Sequence, residues 1–338
     1  MKNFSGKIAF ISGGASGAGL GQAKVFAREG MKVAIADVRQ DALDSAVDEI
    51  VAFGSKKENV LALKVDLTDR EAYKAAADKV EEVFGGPPHL LIQTAGVNSF
   101  GPIEASTFDD FDWVVGVCFD AVVNGHIIFV PRMIRAYGGK DGVAKEDFHV
   151  AVTSSMGAFM AGSTCGPYTA AKAAVNNLIY SYADALRPYG GGATVVCPGN
   201  INSNIGDAEK YRPDHLRNTG YHVSEGTMAH LRSIHASGID PVELAEILKE
   251  AIENGRIIAL PFKDPESWGP MLRNSHSIIE DYMLPAPERQ KKAEERMAEM
   301  RKNMEKDAPG GWGVPEGAER FGMARKDLDY VDASKKPQ

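Results

Sequence analysis

Short apolar runs alternate along the first 260 residues with longer segments whose apolar positions recur every three or four residues. The runs are KIAFIS (7–12), KVAIAD (32–37), NVLALKVD (59–66), HLLIQTA (89–95), FHVAVTS (148–154), GATVVCP (192–198) and RIIALP (256–261). Several are almost continuously apolar, as strands buried on both faces are. The segments between them, such as 17–30 and Arg70–Phe84, have helical spacing. Such strand–helix alternation predicts the α/β class, a doubly wound parallel sheet of the Rossmann-like type in a single domain.

Two stretches break the rhythm. Residues 199–240 are polar, rich in Asn, His and Gly, and too long for a routine connection. They follow a strand's carboxyl end, where open α/β sheets bind ligands, and are expected to form a mobile substrate lid. Residues 266–338 lie beyond the expected catalytic domain of residues 1–265. Their stretch 288–306, ERQKKAEERMAEMRKNMEK, is expected as a charged helix with Ala293, Met297, Met300 and Met304 on one stripe. A Gly/Pro-rich tail follows, and residues 285–338 are expected to act as an interface arm or a flap over a neighbouring subunit.

Composition narrows the class. The 338 residues are 44% hydrophobic and 25% charged, enough to bury a large core. A net charge of −8 without a basic cluster in the first 260 residues argues against nucleic acid. No apolar run approaches a membrane span, and a strand begins where a signal peptide would stand. Neither a membrane nor a nucleic-acid partner is expected, and a cytoplasmic location is. Cys118, Cys165 and Cys197 are odd in number, scattered and without metal-ligand spacing. His215, His222, His230 and His235 are too loosely spaced for a metal site, so no metal is expected.

Chemistry enters with two motifs. After the first strand come Ser12, Gly13, Gly14, Ala15, Ser16, Gly17, Ala18 and Gly19, and the glycines at 13, 17 and 19 allow backbone N–H groups to approach a pyrophosphate. Asp37 ends the second strand, where a carboxylate accepts hydrogen bonds from ribose hydroxyls and repels a 2′-phosphate. NAD is therefore the expected cofactor. Arg39 dissents: it is placed either to reach a 2′-phosphate or to remain solvated. Asp66, in VDLTD, either caps the adenine edge or caps the helix beginning near Thr68, and the two roles are compatible. Gln93, Thr94, Ala95 and Gly96 are expected to wall the cofactor cleft. The second motif is Tyr168 with Lys172 four residues on, one helical turn apart on the same face, with Ser155 thirteen residues before Tyr168. A fixed positive charge beside a phenol favours the phenolate, which suits proton exchange with an alcohol.

With these residues in their order, the chain resembles the short-chain dehydrogenases/reductases over residues 4–260, through SGGASGAG, QTAG, Ser155, YTAAK and PGNINS. The resemblance implies a homodimer or homotetramer and reversible hydride transfer between a secondary alcohol, the small-molecule substrate, and NAD. It implies that Ser155 holds the reacting oxygen, Tyr168 transfers the proton, and Lys172 holds the nicotinamide ribose and lowers the Tyr168 pKa. Ser203 is implied to contact the nicotinamide carboxamide, and Leu67, Pro198, Gly199 and Ile201 complete the expected cofactor set. Ser16 stands where NADP-binding members often carry a basic residue. TAGVNSFGPIE, DDFDW, FVPRMI, NSNI and SIHASGI are similar to the Cα-dehydrogenases of bacterial lignin β-aryl ether breakdown, which oxidise a benzylic alcohol to its ketone with NAD. A hydroxysteroid or another alcohol is the alternative substrate. A thioester reductase is disfavoured by Asp37 and the acidic chain.

One departure stands out. The family usually places an Asn on the helix facing the Tyr–Lys helix, where it kinks the helix and holds a water linking Lys172 to solvent. Cys118 occupies that position, in the segment WVVGVCFDA. Either the thiol packs as a small hydrophobe while a rearranged water or Asn124 maintains the relay, or catalysis is weakened, redox-gated or lost, leaving an NAD(H)-binding protein. The expected substrate wall is apolar and aromatic: Phe100, Met156 and Phe159, with Asn98, Asn200 and Asn204 able to meet hydroxyls or ether oxygens. Ser99, and Tyr211, His222 and Met228 in the lid, are further candidates.

Overall fold

The computed structural model describes residues 1–160 and 164–261, with only isolated positions beyond. Met1–Pro261 belong to the larger of the chain's two compact units. The expected extension of residues 266–338, with its charged helix, lies outside these described stretches.

All seven apolar runs become strands: β1 (Ile8–Ser12), β2 (Lys32–Asp37), β3 (Val60–Lys64), β4 (Leu90–Gln93), β5 (His149–Thr153), β6 (Gly192–Val196) and β8 (Ile258–Ala259). A three-residue strand, β7 (Tyr221–Val223), lies within residues 199–240, the expected lid, outside this sheet. The seven pair only in parallel, in the order β3-β2-β1-β4-β5-β6-β8. The order reverses direction between β1 and β4, the switch point at which such sheets open a ligand crevice.

The helices are α1 (Gly17–Arg28), α2 (Gln40–Ala52), α3 (Arg70–Phe84), α4 (Phe108–Val115), α5 (Ala121–Tyr137), α6 (Gly166–Leu186), α7 (Glu225–Ala236) and α8 (Pro241–Glu253). Alternate residues of each strand serve opposite faces. Ala9 and Ile11 of β1 join Phe26 of α1, Leu43 of α2 and Leu248 of α8 in one core. Phe10 points the other way, with ring centroids 5.8 Å from Tyr73 of α3 and 4.7 Å from Phe129 of α5. Truncating a ring buried to this degree costs about 3–5 kcal/mol.

Helix α3 begins at Arg70, where its helical spacing starts, and not at Thr68. Asp69 caps it, accepting from Glu71 N at 2.9 Å and Ala72 N at 3.0 Å. Asp66 instead closes a tight turn on Thr68, accepting from its N–H at 2.9 Å and its hydroxyl at 2.7 Å.

Helices α4 and α5 are continuous through a π-helical turn, Gly116–Asp120. Within the combined helix Phe108–Tyr137 an 18-residue stretch has a mean hydropathy of 1.8, and by length and composition alone the helix could cross a membrane. The expectation that no apolar run reaches that length is therefore corrected. More than half of its most apolar stretch is buried inside the fold. It carries Pro131, and its Arg132 pairs with Asp78 and Glu81 of α3 at 2.6 and 3.0 Å, contacts suited to a core helix.

Between β6 and α8 the lid leaves and returns through a narrow neck. Ile239 N donates to Asn200 O at 2.9 Å, and Asn202 N donates to Ile239 O at 3.1 Å. Its composition conceals the regular helix α7, capped by Ser224 through Thr227 N.

Candidate active site

The glycine-rich turn is shaped by close approach. Gly13 has φ +64°, and a Cβ there would fall 2.7 Å from Ala95 backbone atoms; Gly17, at φ +51°, would meet the Ser203 side chain at 2.9 Å. Any larger residue would fill the cradle or force the turn open. Helix α1 has no side-chain cap at Ser16, so its first N–H groups are left to a ligand. Ala18 and Gly19 are buried beneath the turn. Ser12 Oγ accepts from Thr94 N at 3.0 Å and Ala95 N at 3.3 Å, which ties the turn to the end of β4. These residues fit a dinucleotide pyrophosphate.

At the end of β2, Asp37 is buried. Its Oδ1 accepts from the Arg39 backbone N at 3.1 Å and from Arg39 Nε at 3.3 Å, while Arg39 Nη2 donates to Ser16 Oγ at 2.8 Å. The guanidinium also lies 5.2 Å from the ring centroid of Tyr211 in the lid. Arg39 is thus neither solvated nor free; although burial works against its charge, Asp37 raises its pKa on balance. Asp66 is exposed at the same end of the sheet and Leu67 is buried behind it.

Gln93, expected in the cleft wall, is instead a core residue: Nε2 donates to Val122 O at 3.0 Å and Oε1 accepts from Tyr73 OH at 3.3 Å. The wall is built by a network that sequence reasoning missed. Thr94 Oγ1 donates to Gln22 Oε1 at 2.6 Å, Gln22 Nε2 donates to Thr153 Oγ1 at 2.9 Å, and the two threonine hydroxyls are 2.8 Å apart. The available signal was a glutamine at a buried position of α1.

Tyr168 and Lys172 occupy successive turns of α6, and Ser155 follows β5. Gly157 marks where they meet: a Cβ there would lie 3.3 Å from Ser155 Oγ and 3.7 Å from the Tyr168 ring. Lys172 is buried, donates from Nζ to Thr153 O at 2.9 Å, and lies 5.6 Å from the Tyr168 ring centroid. The expected lowering of the Tyr168 pKa is not found in the chain by itself. Burial dominates and pushes the phenol up, with a hydrogen bond from Ser155 opposing it. The ammonium meets the aromatic ring and a backbone carbonyl.

Cys118 is fully buried on the π-helical turn. Its Sγ donates to Val97 O at 3.1 Å and accepts from Val97 N at 3.4 Å. A Cβ on Gly96 would lie 3.7 Å from this sulfur and 3.6 Å from Lys172 Nζ, so thiol and ammonium converge on one stretch of backbone. Burial pushes the thiol pKa up, contrary to redox gating through a thiolate. Asn124 does not stand in for the missing Asn: its Oδ1 accepts from Arg70 Nε at 3.2 Å and its Nδ2 donates to Leu67 O at 3.3 Å.

Of the expected substrate wall, Asn98, Ser99 and Met156 are buried, Phe100 and Phe159 half-buried, and Asn200 and Asn204 exposed. Pro198 is buried and accepts from Met156 N at 2.8 Å, while Gly199 is exposed; Ile201 and Ser203 lie at the half-buried root of the lid. Asn98 Oδ1 has no hydrogen-bond partner among the described residues. Tyr221 packs its ring on Gly101 and donates to Asp110 Oδ1 at 2.8 Å. Arg212 Nη2 donates to the same oxygen at 2.6 Å, with both side chains at most 1% exposed and the guanidinium 4.4 Å from the Trp113 ring centroid. This buried anchor, absent from the sequence expectations, fixes the lid to α4. His222 is exposed and Met228 half-buried.

Comparison with known proteins agrees with this geometry. A sequence profile described as short chain dehydrogenase matches residues 7–213. The chain is 47% identical over 264 residues to a C alpha-dehydrogenase of Sphingobium sp. strain SYK-6, covering 78% of this chain and 83% of that protein. Among solved structures, LigD from the same strain aligns with TM-score 0.66 and 39% identity, over 83% of this chain and 99% of that one. A short chain dehydrogenase/reductase from Burkholderia phymatum, solved in complex with NAD, aligns with TM-score 0.75 and 30% identity, over 85% and 98%.

Proposed function

Because the chain belongs to the short-chain dehydrogenase family and is an oxidoreductase, we propose that it interconverts a bulky aromatic secondary alcohol and its ketone with NAD, as the benzylic Cα-dehydrogenases of lignin β-aryl ethers do. The observation that carries this reading is the convergence of Ser155, Tyr168 and Lys172 beside a glycine cradle, in a chain 47% identical to a Cα-dehydrogenase. The glycines at 13, 17 and 19 and the free N-terminus of α1 hold the pyrophosphate, and Asp37 receives the ribose hydroxyls.

When bound, NAD supplies the hydride acceptor and a positive charge that offsets the desolvation of a phenolate. The Ser155 hydroxyl holds the substrate oxygen, and Tyr168 takes the hydroxyl proton during oxidation, returning it during reduction. Lys172, fixed by Thr153 O, adds its charge to the same site. Cys118 keeps residues 96–97 in place beside it. The lid, anchored through Arg212, excludes water from the reacting atoms. Exposure of Phe108 and Ile127 on the long helix, 87% and 65%, favours a homo-oligomer through that face.

The test is NADH formation with a β-aryl ether dimer bearing a benzylic alcohol, beside a hydroxysteroid and a simple aryl alcohol. Turnover confined to the dimer supports the reading. Turnover confined to the steroid replaces its substrate. Tight NADH binding with no turnover on any of them, and none gained by Cys118→Asn, removes it.

A further inference from the structure

We infer that Tyr211 is a cofactor-specificity residue that acts through Arg39: from the lid it holds the guanidinium folded onto Asp37 and Ser16, so that its charge is not offered to a 2′-phosphate. The inference rests on the dinucleotide reading of the cradle.

Three contacts define the state of Arg39. Nε is 3.3 Å from Asp37 Oδ1, Nη2 donates to Ser16 Oγ at 2.8 Å, and the guanidinium carbon lies 5.2 Å from the Tyr211 ring centroid. The first two come from the rim of the adenosine end, the third from a segment 172 residues away in sequence (211 − 39). An arginine side chain has many rotamers, and one whose positions are restricted before a ligand arrives loses less freedom on binding. The ring of Tyr211 is half exposed, yet its backbone is not loose. The next residue, Arg212, is fixed by the buried pair with Asp110 and by Trp113. The anchor on α4 therefore delivers Tyr211 to Arg39, and the lid contributes to the adenosine end as well as to the substrate side.

Charge gives the consequence. With Arg39 held against Asp37 the local sum is near neutral, and a 2′-phosphate meets a carboxylate whose neighbouring cation is already engaged. Without Tyr211, Arg39 gains the freedom to swing from Asp37 toward such a phosphate, while a ribose hydroxyl loses its pre-formed surroundings.

The experiment titrates the full chain with NADH and with NADPH, read by dinucleotide fluorescence and independent of any alcohol. Tyr211→Leu is expected to weaken NADH by roughly two- to ten-fold, the scale of ordering one long side chain, and to leave NADPH unchanged or tighter, so that the NADH preference falls. Tyr211→Phe, which keeps the ring but loses the hydroxyl that also interacts with Arg39, is expected to fall between wild type and Tyr211→Leu. In an Arg39→Ala background Tyr211→Leu is expected to change nothing further. An unchanged preference in Tyr211→Leu, or an equal change with and without Arg39, overturns the inference. Wild-type protein that binds neither dinucleotide overturns the cofactor reading itself.

Discussion

Replacing Cys118 with alanine removes one buried sulfur and both of its contacts with Val97, the 3.1 Å donation to O and the 3.4 Å acceptance from N. Residues 96–97 thereby lose their tether beside Lys172. A neutral hydrogen bond contributes about 0.5–1.5 kcal/mol net, and sulfur bonds lie at the weak end. About 1 kcal/mol for the pair corresponds to roughly a five-fold shift in the position of the loop. Removing the proton-transferring group is larger, about 10²–10⁴-fold. The expectation is therefore a graded series in kcat for alcohol oxidation, followed as NADH formation. Wild type exceeds Cys118→Ala by about five-fold, and Cys118→Ala exceeds Tyr168→Phe by at least a further order of magnitude. Because burial keeps the thiol protonated, the pH profile of Cys118→Ala should match that of wild type. Cys118→Asn must fit a longer side chain into a fully buried slot, at a cost of about 1–3 kcal/mol in stability if the slot does not yield. The reasoning is refuted if Cys118→Ala is as inactive as Tyr168→Phe, or if Cys118→Asn turns over many-fold faster than wild type. Either result would mean that the thiol does not serve as the tether.

Three further outcomes are expected. Oxidation needs the Tyr168 phenolate, and burial raises that pKa, so kcat/KM for oxidation should climb through the alkaline range; Lys172→Met should move the climb to higher pH, and an unmoved profile would separate Lys172 from the proton step. His149 is buried against Thr194 with its pKa lowered to about 3 by desolvation, and His126 to about 4. Folded values below the unfolded one give stability that is present above about 6.5 and lost as pH falls toward them. His149→Leu should accordingly reduce the drop in Tm between neutral and mildly acidic buffer, and an undiminished drop would place the acid sensitivity elsewhere. Arg212→Met leaves the Asp110 carboxylate buried with Thr107 and Tyr221 as its partners among the described residues, and breaking such a pair costs about 3–5 kcal/mol. Hydrogen exchange should quicken in α7 and KM for the alcohol should rise while β1 and β4 stay protected; uniform loss of protection would show that the anchor supports the whole fold.

The parts of the site that were legible share a property: each is encoded within a few residues. Gly13, Gly17 and Gly19 are close together because one tight turn requires them, and Tyr168 and Lys172 share a face because a helix repeats every 3.6 residues. Asp37 was assigned from its place at the end of a strand. Where reading went astray, the deciding partner was distant. Asp66 lost the helix cap to Asp69, a matter of one turn, but Gln93 was drawn into the core by Tyr73 and Val122, which its own neighbourhood does not announce.

The sequence by itself determined the strands, their parallel class, the glycine cradle and the Ser155–Tyr168–Lys172 set, since periodicity and short spacing fix local backbone geometry and which face a side chain takes. Only the tertiary structure decided what surrounds them. Cys118 meets Val97 across 21 residues, Asp110 meets Arg212 across 102, and Arg39 meets the lid through Tyr211. The same packing decided the sign of the Tyr168 shift. Desolvation depends on everything that closes around a group, and a spacing of four residues to a lysine carries no information about that enclosure.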